Sequence, residues 1–204
     1  MTRVYLARHG RTALNAAGTL RGRSEVPLDD VGVAEAERLG AVLGGKGARL
    51  VVSSPLRRAV ETAQPLALHL GLRIRLDPRL ADRDYGQWTG AAVGDVVSRF
   101  GSVDAAPGVE PREAVVTRAL AALLDACHDA EHAGGPVVVV SHDVVNRLLL
   151  AAMSDDFSDA DRTPQETGCY NTLGCDVADG AAPIWSVLEV NKLPGKEASP
   201  EAAT

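Results

Sequence analysis

Three cysteines, Cys127, Cys169 and Cys175, are all that this 204-residue sequence contains. Their number is odd and their spacing fits no metal-ligand pattern, so buried or reduced thiols are expected, which favours the cytoplasm. No apolar run approaches the roughly 18–20 residues that a membrane-spanning helix needs. Met1-Thr2-Arg3 leads straight into the strand-like Val4 to Ala7, which leaves no room for a signal peptide. A net charge of −6 argues against nucleic acid or an anionic membrane as a partner. Acidic residues are themselves missing from one stretch. Between Met1 and Ser24 stand five arginines (Arg3, Arg8, Arg11, Arg21 and Arg23) and no aspartate or glutamate. Such a segment is either the wall of a local anion pocket or a solvated basic face.

The sequence has ample material for a core, with 46% hydrophobic residues in a length most simply read as one domain. No internal repeat or domain boundary interrupts it. Strands are predicted over 3–7, 50–52, 73–76 and 137–140, with a final strand pair near 169–175 and 184–190 turned by Asp179-Gly180. Helices are predicted from an Asp29 or Asp30 cap to Leu43, from Ser53-Ser54-Pro55 to Gly71, over 112–132 and over 144–153. Pro65 is expected to break or kink the second of these. Residues 77–111 read as a loop. Alternating strands and helices imply a three-layer α/β/α fold around a mostly parallel sheet. The expected domain is 1–191, with a disordered tail from 192 to 204, and the C-terminal strand pair offers an edge for a homodimer.

Only five histidines occur, and two of them close apolar strands. His9 follows Val4 to Ala7 with Arg8 beside it, and His142 follows Val137 to Ser141. In an open α/β sheet the reactive crevice lies at the carboxyl ends of the strands. Either histidine alone is more simply a structural hydrogen-bonding residue. Together with the arginines after the second strand, Arg57 and Arg58, they define a shared crevice. Two imidazoles and two guanidinium groups repel one another there unless an anion or a carboxylate offsets the charge.

Four segments in this order, LARHGRTALN, SSPLRRAVETA, LADRDYGQWTG and VVVVSHD, resemble the histidine phosphatase superfamily (phosphoglycerate-mutase-like fold). The resemblance implies that His9 is a nucleophile forming a phosphohistidine, which requires a neutral imidazole. Arg8 and Arg58 are then phosphoryl clamps, since planar guanidinium groups match an oxyanion, while Arg57 faces the surface. His142 is a second donor to the phosphoryl group in the transition state. Asn15 and Arg21 are expected substrate contacts, Arg21 standing where glutamine is common in the family, with a solvated loop arginine as its alternative. The resemblance implies a general acid four residues before Gly86, which here is Asp82, an aspartate where glutamate is usual, with Asp84 as competitor. Asp143 replaces a common glycine and lies near the phosphate site, where it either tunes His142 or points away. Thr89 replaces a common glutamate, and Trp88 reads as a packing residue.

The short segment 91–111 carries one arginine and no tyrosine or lysine. That favours hydrolysis of a small phosphorylated metabolite over the shielded intermediate of a bisphosphoglycerate-dependent phosphoglycerate mutase, which is the alternative enzyme. A catalytically idle phosphoester-binding module is the alternative outside catalysis. No cofactor and no metal are expected, because no carboxylate or histidine spacing suits a metal.

Overall fold

The computed structural model describes residues 1–154, 160–176 and 183–195. Six strands form one mixed sheet in the order β3-β2-β4-β1-β5-β6. They are β1 Thr2–Arg8, β2 Leu50–Ser53, β3 Ile74–Leu76, β4 Val137–Ser141, β5 Tyr170–Asp176 and β6 Ile184–Lys192. The first four run parallel, and β5 and β6 join antiparallel to β1 and to each other. The helices are α1 Ala13–Ala16, α2 Asp30–Gly44, α3 Arg57–Leu70, α4 Val93–Phe100, α5 Arg112–His132 and α6 Asp143–Met153.

The central strands are apolar without alternation because both of their faces are covered. Val4, Leu6, Val137 and Val139 pack into the core beneath α5 and α6. Tyr5, Ala7, Val138 and Val140 point the other way, into the core beneath α2 and α3. This is the anticipated three-layer arrangement. All three cysteines are free and buried. No helix among the described residues is long and apolar enough to cross a membrane.

Several local expectations are corrected. The segment 77–111 is not all loop: it contains α4, whose Val96 and Phe100 pack in a satellite core with Leu20, Tyr85 and Trp88. Gly94 and three valines give this segment weak helical propensity, so tertiary packing decides its state. The polar stretch after β1 likewise holds α1, closed by a capping box between Thr12 and Asn15. Helix α3 begins at Arg57 rather than at Pro55, with Leu56 at its N-cap. It also runs on through Pro65. That turn is pressed against α2, where a Cβ on Gly40 would lie 3.0 Å from the Pro65 carbonyl carbon and Cβ. Lys192 closes β6 instead of opening a tail. Residues 196–204 and the Asp179-Gly180 turn lie outside the described residues.

The sheet register sets the crevice. Arg8 pairs with Ser141 and Ser53 with Val140, so β1, β2 and β4 end at one level. Backbone bonds from His9 N to the Ser141 carbonyl (3.1 Å) and from Ser54 N to the Val140 carbonyl (2.9 Å) extend that alignment past the strand ends. The turn after His9 is fixed by backbone packing on the start of α2. A Cβ on Gly10 would meet the Gly32 carbonyl oxygen at 2.5 Å, and one on Gly32 would meet the Arg11 oxygen at 2.0 Å. Neither backbone can yield without moving His9. Gly32→Ala should therefore destabilise the protein by about 1–3 kcal/mol, as overpacking does. Gly94→Ala, with no atom within 4 Å of the added Cβ, should be neutral or stabilising. Thermal unfolding of the two variants measures the difference, and equal melting temperatures would refute the backbone contact.

Candidate active site

The two imidazoles, delivered by the ends of β1 and β4, lie with ring centroids 5.1 Å apart, and both are fully buried. His9 Nδ1 lies 2.7 Å from the Gly10 carbonyl oxygen, an acceptor only, so that nitrogen carries the proton. The lone pair is then on Nε2, where Arg58 Nε donates to it at 3.2 Å. Burial, then the charges of Arg58 and Arg8, hold the His9 imidazole well below its ordinary value. The ring is neutral, with its lone pair on the nitrogen that faces Arg58.

His142 is held by the opposite nitrogen, its Nε2 standing 2.8 Å from Ser54 Oγ. Its Nδ1 has no hydrogen-bond partner among the described residues and sits 3.9 Å from Asp82 Oδ2. Burial and then Arg58 depress this imidazole too. Arg58, wholly buried on the first turn of α3, donates to the Gly22 and Ser24 carbonyls at 2.8 Å each and to Asp82 Oδ2 at 2.9 Å. The next residue back, Arg57, is exposed and pairs with Glu61 at 2.7 Å. The two neighbours thus take the separate faces expected of them.

Asp82 is the carboxylate that joins this group. Its Oδ1 accepts from Arg83 N at 2.9 Å, its side chain is buried, and burial raises its carboxyl despite the opposing charges of Arg58 and Arg21. Asp84 lies apart: it accepts from Gly86 N at 2.8 Å and faces Arg23 at 3.5 Å. Asp143 points at Arg8, 3.5 Å away, and also pairs with Arg147. Arg8 further donates to the Gln165 carbonyl. Arg21 stands close enough that its charge lowers both imidazoles and the Arg8 and Arg58 guanidinium groups. The Asn15 side-chain oxygen is engaged locally, accepting from the Thr12 amide and hydroxyl at 2.9 and 2.8 Å. Trp88 packs on Phe100 as anticipated, with ring centroids 5.0 Å apart.

Four supporting residues escape a sequence reading. Ser54 looks like a helix cap but orients His142. Thr62 Oγ1 accepts from Gly10 N at 3.0 Å and so fixes the turn behind His9. Gln165 and Asn171 exchange hydrogen bonds at 2.8 and 2.9 Å behind Arg8, and Asn171 also donates to the Leu6 carbonyl. Only Ser54 and Thr62 carry a signal in the sequence, as polar residues facing inward beside a strand end and on a buried helix face.

Three buried nitrogens in this crevice, Arg8 Nε, Arg21 Nε and His142 Nδ1, have no hydrogen-bond partner among the described residues. With Arg58 they form a concentrated donor set suited to a tetrahedral oxyanion. Among the described residues no group of three or more His, Cys, Asp or Glu could hold a metal ion. Both histidines bind fewer protons folded than unfolded, so their contribution makes stability rise with pH and level off near the ordinary value of 6.5. His142→Gln should shallow the loss of stability below pH 6.5, measured by denaturant unfolding across pH 5–8. An unchanged slope would contradict the depressed imidazole.

A model of the histidine phosphatase superfamily (branch 1) matches residues 4–186. Glucosyl-3-phosphoglycerate phosphatase of Mycobacterium tuberculosis is 30% identical over 166 residues, 74% of each chain. A probable phosphoglycerate mutase, GpmB, of Yersinia pestis is 30% identical over 162 residues, 75% of each chain. Among solved structures, the mycobacterial glucosyl-3-phosphoglycerate phosphatase in complex with VO3 superposes with a TM-score of 0.83 at 26% identity, covering 94% of this chain and 99% of that one. With its fold, its paired strand-end histidines and the family match over most of its length, the chain belongs to the histidine phosphatase superfamily, branch 1, and is an enzyme of the phosphatase type.

Proposed function

We propose that the protein hydrolyses small phosphomonoesters through a phosphohistidine on His9, without a metal. The observation that carries this reading is the His9 tautomer: a neutral ring protonated on Nδ1, with the lone pair of Nε2 turned to the Arg58 guanidinium. Nε2 attacks phosphorus, the P–O bond to the alcohol breaks, and the departing oxygen takes a proton from the Asp82 carboxyl. Water then attacks the phosphohistidine, returns a proton to Asp82 and releases inorganic phosphate with Nε2 as leaving group. Arg8, Arg58 and Arg21 hold the phosphoryl oxygens. His142 donates from Nδ1 where charge builds, with its Nε2 accepting from the Ser54 hydroxyl. Asn15 can contribute only its amide nitrogen to substrate, since its oxygen is already engaged.

Asp82 is well suited to the acid role because a carboxyl raised by burial retains its proton closer to neutrality. The mutase reading is supported by the GpmB relative. Isomerisation of 3-phosphoglycerate faster than phosphate release would favour it.

His9→Ala should abolish phosphate release, and acid quenching of wild-type turnover should trap acid-labile phosphate on His9. Absence of the trapped species would refute the covalent route, and phosphoester binding without turnover would leave a binding module. Asp82→Asn should lower kcat by about 100-fold or more on an alkyl phosphate, the typical range for lost general acid catalysis. The loss should be much smaller on 4-nitrophenyl phosphate, whose phenolate leaves unassisted. Equal losses on the two esters would remove Asp82 from the acid role. EDTA should leave turnover unchanged, and its loss on chelation would refute metal independence.

A further inference from the structure

The phosphoryl-binding end of the crevice opens into a cavity of about 420 Å3, with Arg21 and Asp82 at the junction. The outer part differs sharply from the inner. Its apolar wall comes from Leu20, Val144 and the helix α4. On α4, Val96 and Phe100 face the satellite core, while Val93 and Val97, one turn apart, line the cavity and remain 38% and 39% exposed. An amphipathic helix ordinarily turns its polar side to solvent. Here two valines instead line a cleft that is continuous with the phosphoryl-binding end, and apolar walls beside a few polar groups are how ligand pockets are built.

The charged groups of the outer part point to the same conclusion. Its carboxylates are Asp104, Asp143 and Asp161, against the guanidinium groups of Arg83 and Arg112. Both guanidinium groups are already committed. Arg83 pairs with Asp104 and donates to the Glu110 carbonyl at 2.7 Å. Arg112 bridges Asp104 at 2.8 Å and Asp161 at 2.9 Å. Asp143 is turned inward to Arg8. Among the described residues lining this cavity, Arg21 is the cation outside any ion pair, and it belongs to the phosphoryl end. A second anion on the substrate would therefore meet carboxylates and find no free cation to receive it. An anion left in a cleft without a counter-charge is a strong means of excluding a competitor.

From this juxtaposition of an apolar α4 face and a self-neutralised acidic rim we infer that the preferred substrate is a phosphomonoester of an uncharged, largely apolar alcohol, with Val93 and Val97 as specificity-determining contacts. The inference rests on the phosphatase reading of the inner site and adds the class of leaving group. It also separates this chain from relatives whose names specify phosphoglycerates.

Steady-state kinetics on three alkyl esters test it: hexyl phosphate, glycerol 3-phosphate and 3-phosphoglycerate. The expected order of kcat/KM is hexyl phosphate, then glycerol 3-phosphate, then 3-phosphoglycerate, with about tenfold or more between first and last, the scale set by apolar pocket contacts. Val97→Asp should lower the ratio of hexyl phosphate to glycerol 3-phosphate by about tenfold, and Val93→Asp reads the same contact from the previous turn should the first variant fold poorly. Turnover in which 3-phosphoglycerate equals or exceeds hexyl phosphate overturns the inference while leaving the phosphatase reading intact. An unchanged ratio in both variants does the same. No turnover of any of the three esters sinks the phosphatase reading, and the inference with it.

Discussion

The buried guanidinium of Arg58 is the interaction on which the crevice depends. From α3 it reaches three other parts of the chain at once: His9 after β1, the Gly22 and Ser24 carbonyls of the basic loop, and Asp82 after β3. Moving such a charge from water to protein is costly unless its donors are met and its charge is balanced. The two carbonyls and Asp82 do this from one side, and the His9 lone pair accepts from Nε. Lysine cannot replace it, because an ammonium group lacks the forked geometry that reaches these directions together. Removing it would strand Asp82 as a buried carboxylate and release the loop that carries Arg21 and Arg23.

That loop and the His9 turn need a rigid support, which comes from backbone contact rather than side chains. Gly10 and Gly32 bring the turn and the first turn of α2 so close that a methyl group fits at neither position. Asp29 caps α2 at Gly32 N and pairs with Arg11, both at 2.9 Å, so one carboxylate ties the helix start to the chain leaving His9. Thr62 then holds Gly10 N from α3. His9 is thus held by β1, α2 and α3, three elements that meet behind it. Preorganisation of this kind lets a donor set act without reorganising as charge develops.

Much of this was legible in the sequence, for identifiable reasons. Strands covered on both faces read as unbroken apolar runs, so β1 and β4 and the residues at their ends could be located. Helix α2 carries an aspartate cap and an apolar period of its own. Arg58 and Asp82 were preferred to Arg57 and Asp84 because they match motif positions of the family the sequence resembles, and the structure puts the preferred pair in contact at 2.9 Å. The features that escaped depend on distant partners. Helix α4 is unremarkable in propensity and forms because Leu20, Tyr85 and Trp88 offer it a surface. Pro65 stays within α3 because α2 is pressed against that turn. Gln165 and Asn171 lie more than 150 residues from Arg8, and nothing local marks them as its support.

Burial acts on the two groups proposed to exchange roles in catalysis in opposite senses, and that asymmetry supplies the chemistry. It penalises the charged form of each, so the imidazole of His9 goes down and the carboxyl of Asp82 goes up. A neutral nucleophile and a protonated acid can then coexist in one dry crevice. The arginines press His9 further down but oppose the shift of Asp82, which leaves Asp82 the more finely balanced of the two. An arriving phosphate dianion alters that balance. Its negative charge relieves the repulsion among Arg8, Arg21 and Arg58, and also disfavours the ionised form of Asp82. In the proposed reaction the substrate thus helps to protonate the group that must release its own leaving oxygen. Departure of phosphate reverses the effect and returns Asp82 towards the carboxylate paired with Arg58.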